Sequence, residues 1–257
     1  MTHFFPTLAG MNLPGRNINP HISVDCVIFG FSTNQLKVLL VRRSFTDPSG
    51  RVINDHKLPG DFIAINEDLD RAASRILEEL TGLNNIYLQQ FEFFGRPDRI
   101  SRPTDIQWLN ETTGHKIQRV VTAAYYSLIN ITDTNSAFAI KNKATWIDVK
   151  QVPELAFDHG TIIARGLAHL QQKLRSEPIG FELLPEKFTI RELQSLYEVI
   201  LGCDLDNRNF RKKILKSKYL VQLEEKQSGV AHKPAYYYRF DRMIYEQHKK
   251  EALGFSI

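Results

Sequence analysis

One stretch limits the architecture more than any other: residues 60–82, GDFIAINEDLDRAASRILEELTG. It follows a short strand and turn, HKLPGDF, and its second half predicts an amphipathic helix from about Glu67 to Thr81 with Gly82 as C-terminal stop. At about 100° per residue, positions 76, 79 and 80 share one helical face, so their side chains converge. That face carries Ile76, Glu79 and Leu80. The flanking segments read as strands. HISVDCVIFG is a buried strand with LKVLLVRR as its hairpin partner, and NIYLQQFEFFG, RVVTAAYYSLI and KATWIDV follow, rich in aromatic and β-branched residues. DHGTIIARGLAHLQQKLRS, capped by Asp158, predicts a helix with Ile162, Ile163, Leu167, Leu170 and Leu174 along one side. Two segments read as loops, the polar 44–56 and the long 96–118 with its prolines. The order predicts an α/β layered sheet up to about Ser176. His159, at a helix start, is assigned no role.

With 257 residues, 42% of them hydrophobic, the chain is long enough for two domains and a sizeable core. Its two cysteines, Cys26 and Cys203, lie far apart and lack zinc-ligand spacing, which predicts a reducing compartment without disulfides; no cofactor is expected. No apolar run reaches the roughly 18 residues of a membrane span. Residues 1–20 lack a basic segment leading into an apolar run and read as a flexible terminus without a signal peptide, so the expected location is cytoplasmic. The net charge of +4 is uneven. Up to Leu184 there are 19 Lys and Arg against 19 Asp and Glu; from Pro185 onward there are 14 against 10. SEPIGFELLP, with two prolines and a glycine, reads as the boundary between residues 21–178, which include a connecting helix at 158–176, and residues 179–257.

The basic part has a pattern of its own. Thr189 with Glu192 forms a capping box before Leu193, Leu196, Ile200 and Leu201, and Gly202 ends that helix. Asp206 caps a second helix, NRNFRKKILKSKY. Around it, with Arg208 at zero, Arg211, Lys212 and Lys216 fall near 300°, 40° and 80°, while Phe210 and Ile214 fall near 200° and 240°. One face is cationic and the other apolar. YLVQLEE and AYYYRF then read as two strands around a loop holding Lys226, His232 and Lys233. Helix, turn, helix and basic hairpin predict a winged helix-turn-helix that binds double-stranded DNA, with Arg208, Arg211, Lys212, Lys216, Lys226 and Lys233 as the contacting cations.

Residues 61–83 resemble the signature box of the Nudix hydrolases without a gap. Glu67 matches its first glutamate, Arg75 its arginine, Glu79 one of its acids, and Gly82 with Leu83 its end, while Asp61 stands at the first glycine. Ile76 and Leu80 stand where the family has glutamates. Three carboxylates on that face would meet one Mg²⁺, whereas isoleucine and leucine offer it no oxygen. The resemblance therefore implies a Nudix α/β/α sandwich with a mixed sheet that has kept its pocket and lost its catalysis. Arg42, Lys57, Asp61, Glu67, Glu79 and Arg119 are the pocket residues it implies. The rival expectation is an active Mg-dependent ADP-ribose pyrophosphatase with a nucleic-acid-binding tail, its metal held with help from Asp61, Glu92 or Glu111.

Taken together, the two halves resemble the Nudix-related transcriptional regulators. RILEELTGL, AYYSLINI, EPIGFELLP, FTIRELQSLYE and DNRNFRKKI look especially like the arabinose-responsive repressors of Bacteroidetes. The resemblance implies a homodimeric transcriptional regulator, repressor or activator, reading an operator under control of a small effector, either a sugar such as arabinose or an ADP-ribose-like nucleotide.

Overall fold

The computed structural model describes residues 17–47, 49–132, 136–137, 139–140, 143–177, 179–229, 231 and 233–253. Most of the expected flexible terminus, and His232, lie outside the described residues. Residues Ile18 to Pro20 correct that expectation: they already belong to β1 (Ile18–Ser32), where Ile18 is buried opposite Ala64. Thr33 and Asn34, both with positive φ, form the tight turn into β2 (Gln35–Thr46), as the right-handed twist of a hairpin prefers.

The strands β3 (Val52–Lys57), β4 (Gly60–Ala64), β5 (Gln89–Phe94), β6 (Val121–Asn130) and β7 (Ala144–Asp148) complete a mixed sheet ordered β3-β2-β1-β6-β5, with β4 on β1 and β7 on β2. Strands β1 and β6 pair in parallel, Val24 facing Ala123 and Ile28 facing Ser127, while β4 pairs antiparallel with β1 and β5 antiparallel with β6. Side chains alternate across the sheet. Val24, Cys26 and Ile28 of β1 pack with Ala72, Ala73, Ile76 and Leu77 of α1 (Leu69–Thr81). Val27, on the opposite face, meets Gly166 of α3 (His159–Ser176), and Phe91 and Tyr126 lie against His169 of the same helix. This is the expected layering of helices on both sides of a mixed sheet.

Both segments read as loops are ordered elements. Residues 44–46 continue β2 and 52–57 form β3; the Asp47 side chain closes the turn by accepting from the backbone N–H groups of Ser49 and Arg51. Within 96–118 lies α2 (Pro103–Thr113), with proline in its first turn and Gly114 at φ 68° as its stop. Its buried side chains, Asp105, Trp108 and Leu109, do not make an apolar stripe, so periodicity gave no signal.

The chain forms two compact units, residues 1–32 with 36–170, and residues 33–35 with 171–257. The division falls inside α3, ahead of the proline-containing segment expected to mark it, because the last turns of α3 are held within the second unit: Gln171 Nε2 donates to the carbonyl of Ile200 at 2.8 Å. The second unit contains α4 (Ile190–Leu201), α5 (Asn207–Ile214), the hairpin β8 (Leu220–Lys226) with β9 (Tyr236–Phe240), and α6 (Arg242–Leu253), which the sequence reading missed. The Thr189 and Glu192 capping box is formed. Phe188 pairs with Tyr238 through two backbone hydrogen bonds, and Phe181 stacks on Phe240 at 4.1 Å.

Ile76 is fully buried, so Ile76→Ala should lower stability by about 3 kcal/mol through the cavity it opens. Arg71→Ala, at a position 80% exposed on the same helix, should change it by less than about 0.5 kcal/mol. Urea denaturation of the two variants checks the contrast.

Candidate functional site

The helix of the box is oriented by its apolar face. Ile76 lies in the core beside Cys26 and Tyr125, and Leu80 packs partly buried against the same cluster. Positions 76 and 80 therefore point into the sheet. Arg75 binds Glu67 through Nε and Nη2, each at 2.7 Å, and Glu79 through Nη1 at 3.1 Å. Glu67 Oε2 also accepts from the backbone of Ala64 at 3.1 Å, so these acids brace the β4 to α1 connection. Among the described residues, no group of three or more His, Cys, Asp or Glu side chains could hold a metal ion. A divalent cation of the Nudix type does not fit this donor set. Glu92 is engaged with Arg165, and Glu111 with Gln107.

A cavity lies elsewhere, between β1, β4, α2 and the start of α3. Of the six residues expected at a pocket, Lys57 and Asp61 line it. Arg42 does not: it is exposed on β2 and bonds Asn54 at 3.2 Å, and strand alternation turns its neighbour Arg43 inward instead. Arg119 is exposed and donates to the carbonyl of Gly95, while Glu67 and Glu79 belong to the Arg75 cluster. Asp25, Arg99 and His159 line the cavity and were missed; a carboxylate inside the apolar strand VDCVIF was the available signal for Asp25.

These polar groups are tightly partnered. His159 Nδ1 accepts from the backbone N–H of Leu58 at 2.9 Å, which leaves the neutral ring's proton on Nε2, 3.4 Å from Asp25 Oδ1. Burial lowers the His159 pKa to about 4 in spite of Asp25. Burial also works against the charge of Asp25, but His159 and Arg99 together hold its carboxyl below the usual range. Lys57 is pushed down and Asp61 up, both by burial. Lys57 Nζ donates to the carbonyl of Gly60 at 2.5 Å. Gly60 must lack a side chain, because a Cβ there would lie 1.9 Å from Asp25 Oδ1.

Helix α2 forms one wall. Arg43 and Asp105, each with a side chain 1% exposed, pair at 2.8 Å, and Arg43 also binds Asp55. Asp105 Oδ2 accepts from Arg102 at 2.8 Å and from the backbone N–H of Phe157 at 3.0 Å. Phe157 has φ 56°, a conformation that costs a bulky residue roughly 1–3 kcal/mol and persists only where neighbours enforce it. Its ring lies 5.2 Å from the Arg43 guanidinium and 5.9 Å from Trp108.

In the second unit, a groove of about 550 Å³ runs between the first turn of α5 and the β8–β9 hairpin. Arg211, Lys226 and Lys233 line it, joined by Arg191, Asn207 and Tyr236, which the sequence reading did not single out. Lys226 Nζ sits 4.4 Å from the centre of the Tyr236 ring. Arg208 and Lys212 are exposed on α5 outside this lining, and Lys216 is exposed in the turn after the helix, which stops at Ile214, short of the predicted end. The surface presents cations and one aromatic ring on a rigid helix and a hairpin, a chemistry suited to a phosphate backbone.

Residues 19–166 match the family model of the NUDIX domain, and residues 180–240 that of the NrtR DNA-binding winged helix domain. The chain is 32% identical over 233 residues to the ADPR responsive transcriptional repressor NtrR of Acinetobacter baylyi, a match covering 89% of this chain and 85% of that protein. Among solved structures it is similar to Shewanella oneidensis NrtR complexed with a 27mer DNA, with TM-score 0.66 and 28% identity across 88% of this chain and 95% of that one. A MutT/nudix family protein from Enterococcus faecalis is similar at TM-score 0.61 and 25% identity, over 86% of each chain.

The state of His159 sets a pH dependence. Its pKa is about 4 in the folded chain against 6.5 for the free side chain, so between those values the unfolded chain binds the extra proton and stability falls as pH falls. His159→Gln, which can still accept from Leu58, should remove this loss. Between pH 7 and pH 4 the parent is expected to lose up to about 3 kcal/mol more than the variant. Urea denaturation at the two pH values measures the difference, and parallel losses would contradict it.

Proposed function

Since the chain belongs to the NUDIX family and, within it, to the repressors that join a Nudix domain to an NrtR-type winged helix, we propose that it is a DNA-binding transcriptional repressor whose Nudix domain senses an ADP-ribose-like nucleotide without cleaving it. The observation that carries this reading is the coexistence of a cationic groove on a winged helix with a box whose 76 and 80 positions are filled by core side chains. Cations on α5 and the hairpin grip phosphates, and the exposed part of α5 faces the bases. Arg208, Arg211, Lys212, Lys216, Lys226 and Lys233 remain the proposed contacts, with Arg191 and Tyr236 added from the groove. Winged-helix regulators commonly read two half-sites, which supports a homodimer, and a chromosomal target supports a cytoplasmic location.

A nucleotide is favoured over a pentose for two reasons. The curated relative is named for its response to ADPR, and the cavity is walled by Phe62, Trp108 and Phe157, rings suited to a planar base. Thermal shift with ADP-ribose and with arabinose separates the two, since a ligand of the folded state raises the melting temperature. A rise with arabinose alone would reverse the assignment.

Two further outcomes are expected. Full-length protein should shift DNA from around its own gene, and Arg211→Ala with Lys212→Ala should weaken that binding and lower the salt slope of the affinity by about 1.8. Unchanged binding would count heavily against the interface. Incubation with ADP-ribose and Mg²⁺ or Mn²⁺ should release no AMP; turnover that Glu79→Gln abolishes would establish the hydrolase instead.

A further inference from the structure

The cavity holds about 50 Å³ of free space, whereas pockets for cofactor-sized ligands have about 300–1,000 Å³. An effector as large as ADP-ribose, the reading on which this inference rests, enters this cavity only if a wall gives way; the open groove beside it, about 490 Å³ and lined by Arg102 and Asp105, shares Arg99 and Phe157 with it. β1 and β4 are hydrogen-bonded into the sheet, and α3 packs across its face. The side chains of Arg102 and Asp105 tie α2 to β2 and to the segment before α3. Trp108, inside that wall, carries a buried indole N–H without an acceptor, so the closed arrangement leaves one donor unsatisfied.

We propose that α2 is the wall the effector displaces and that Asp105 is the positioning residue coupling its displacement to the start of α3. One carboxylate holds three groups together: Arg43 from β2, Arg102 at the head of α2, and the backbone N–H of Phe157. Arg102 adds an outer tie, donating to Glu154 at 2.9 Å and to the carbonyl of Leu155 at 2.7 Å. Moving α2 withdraws the acceptor that steadies Phe157 in its left-handed conformation. That residue stands two positions before α3, whose last turns belong to the second unit, so its relaxation redirects the first turn of the helix. The effector thus works against the closed state, and its apparent affinity is reduced by the fraction of molecules in which α2 is open.

The test uses Trp108 as reporter. The chain has two tryptophans, and Trp146→Phe leaves Trp108 alone. In that background, Asp105→Asn and, as a milder variant should the first fail to fold, Arg102→Ala should raise iodide quenching of Trp108 about twofold or more without any ligand. Titration calorimetry on the full chain should then show ADP-ribose binding about threefold tighter or better, a gain that mere loss of structure would not give. Folded variants with unchanged quenching overturn the proposal, as does raised quenching with unchanged affinity. If Trp108 becomes exposed while ADP-ribose binds neither parent nor variant, the effector assignment fails and the latch stands.

Discussion

The pairing of Arg43 with Asp105 organises the first unit. Each side chain is almost fully withdrawn from water, and such a pair is tolerable only when its remaining donors and acceptors are also engaged. Here Asp55 takes the rest of the guanidinium fork, Arg102 and the Phe157 backbone take the rest of the Asp105 carboxylate, and the rings of Phe45, Trp108 and Phe157 lie within 5.5 Å of the Arg43 charge. Removing one partner of a buried pair costs about 3–5 kcal/mol because the other charge is left stranded. The insertion helix, the wall of the cavity and the entry to α3 are consequently fixed by a single cluster.

In α1 the residues of the box serve the packing of the first unit. An oxygen ligand at 76 would be a charge in the sheet core; isoleucine there instead contributes roughly 1.5–3 kcal/mol of burial. Glu67, Arg75 and Glu79 form a charge-assisted brace between β4 and α1. The polar groups of the cavity lie at the other end of β4, where Asp25, Lys57 and His159 hold one another in defined states.

In the second unit the division of labour is between a greasy interior and a charged rim. Tyr197 meets Phe210 at 5.4 Å and Phe181 stacks on Phe240, which fixes α5 and the hairpin to a common base. The cations then project from rigid elements. Leu215, 43% exposed after the end of α5, has no partner role that the structure explains.

The sequence alone determined what depends on neighbours along the chain. The α1 span and its Gly82 stop, the capping box at Thr189, the mixed sheet's main strands and the surplus charge after Pro185 all follow from periodicity, caps and composition, which are local. What only the tertiary structure decided depends on residues far apart. Whether Arg42 or Arg43 faces inward rests on strand parity, set by pairing with β3 and β7; α2 hid behind a polar sequence because a buried aspartate anchors it; and His159 gained its place from Leu58, 101 residues away. Side-chain direction in a strand reverses with each residue and a buried charge is stable only beside its partner, so neither can be read until the distant segments are brought together.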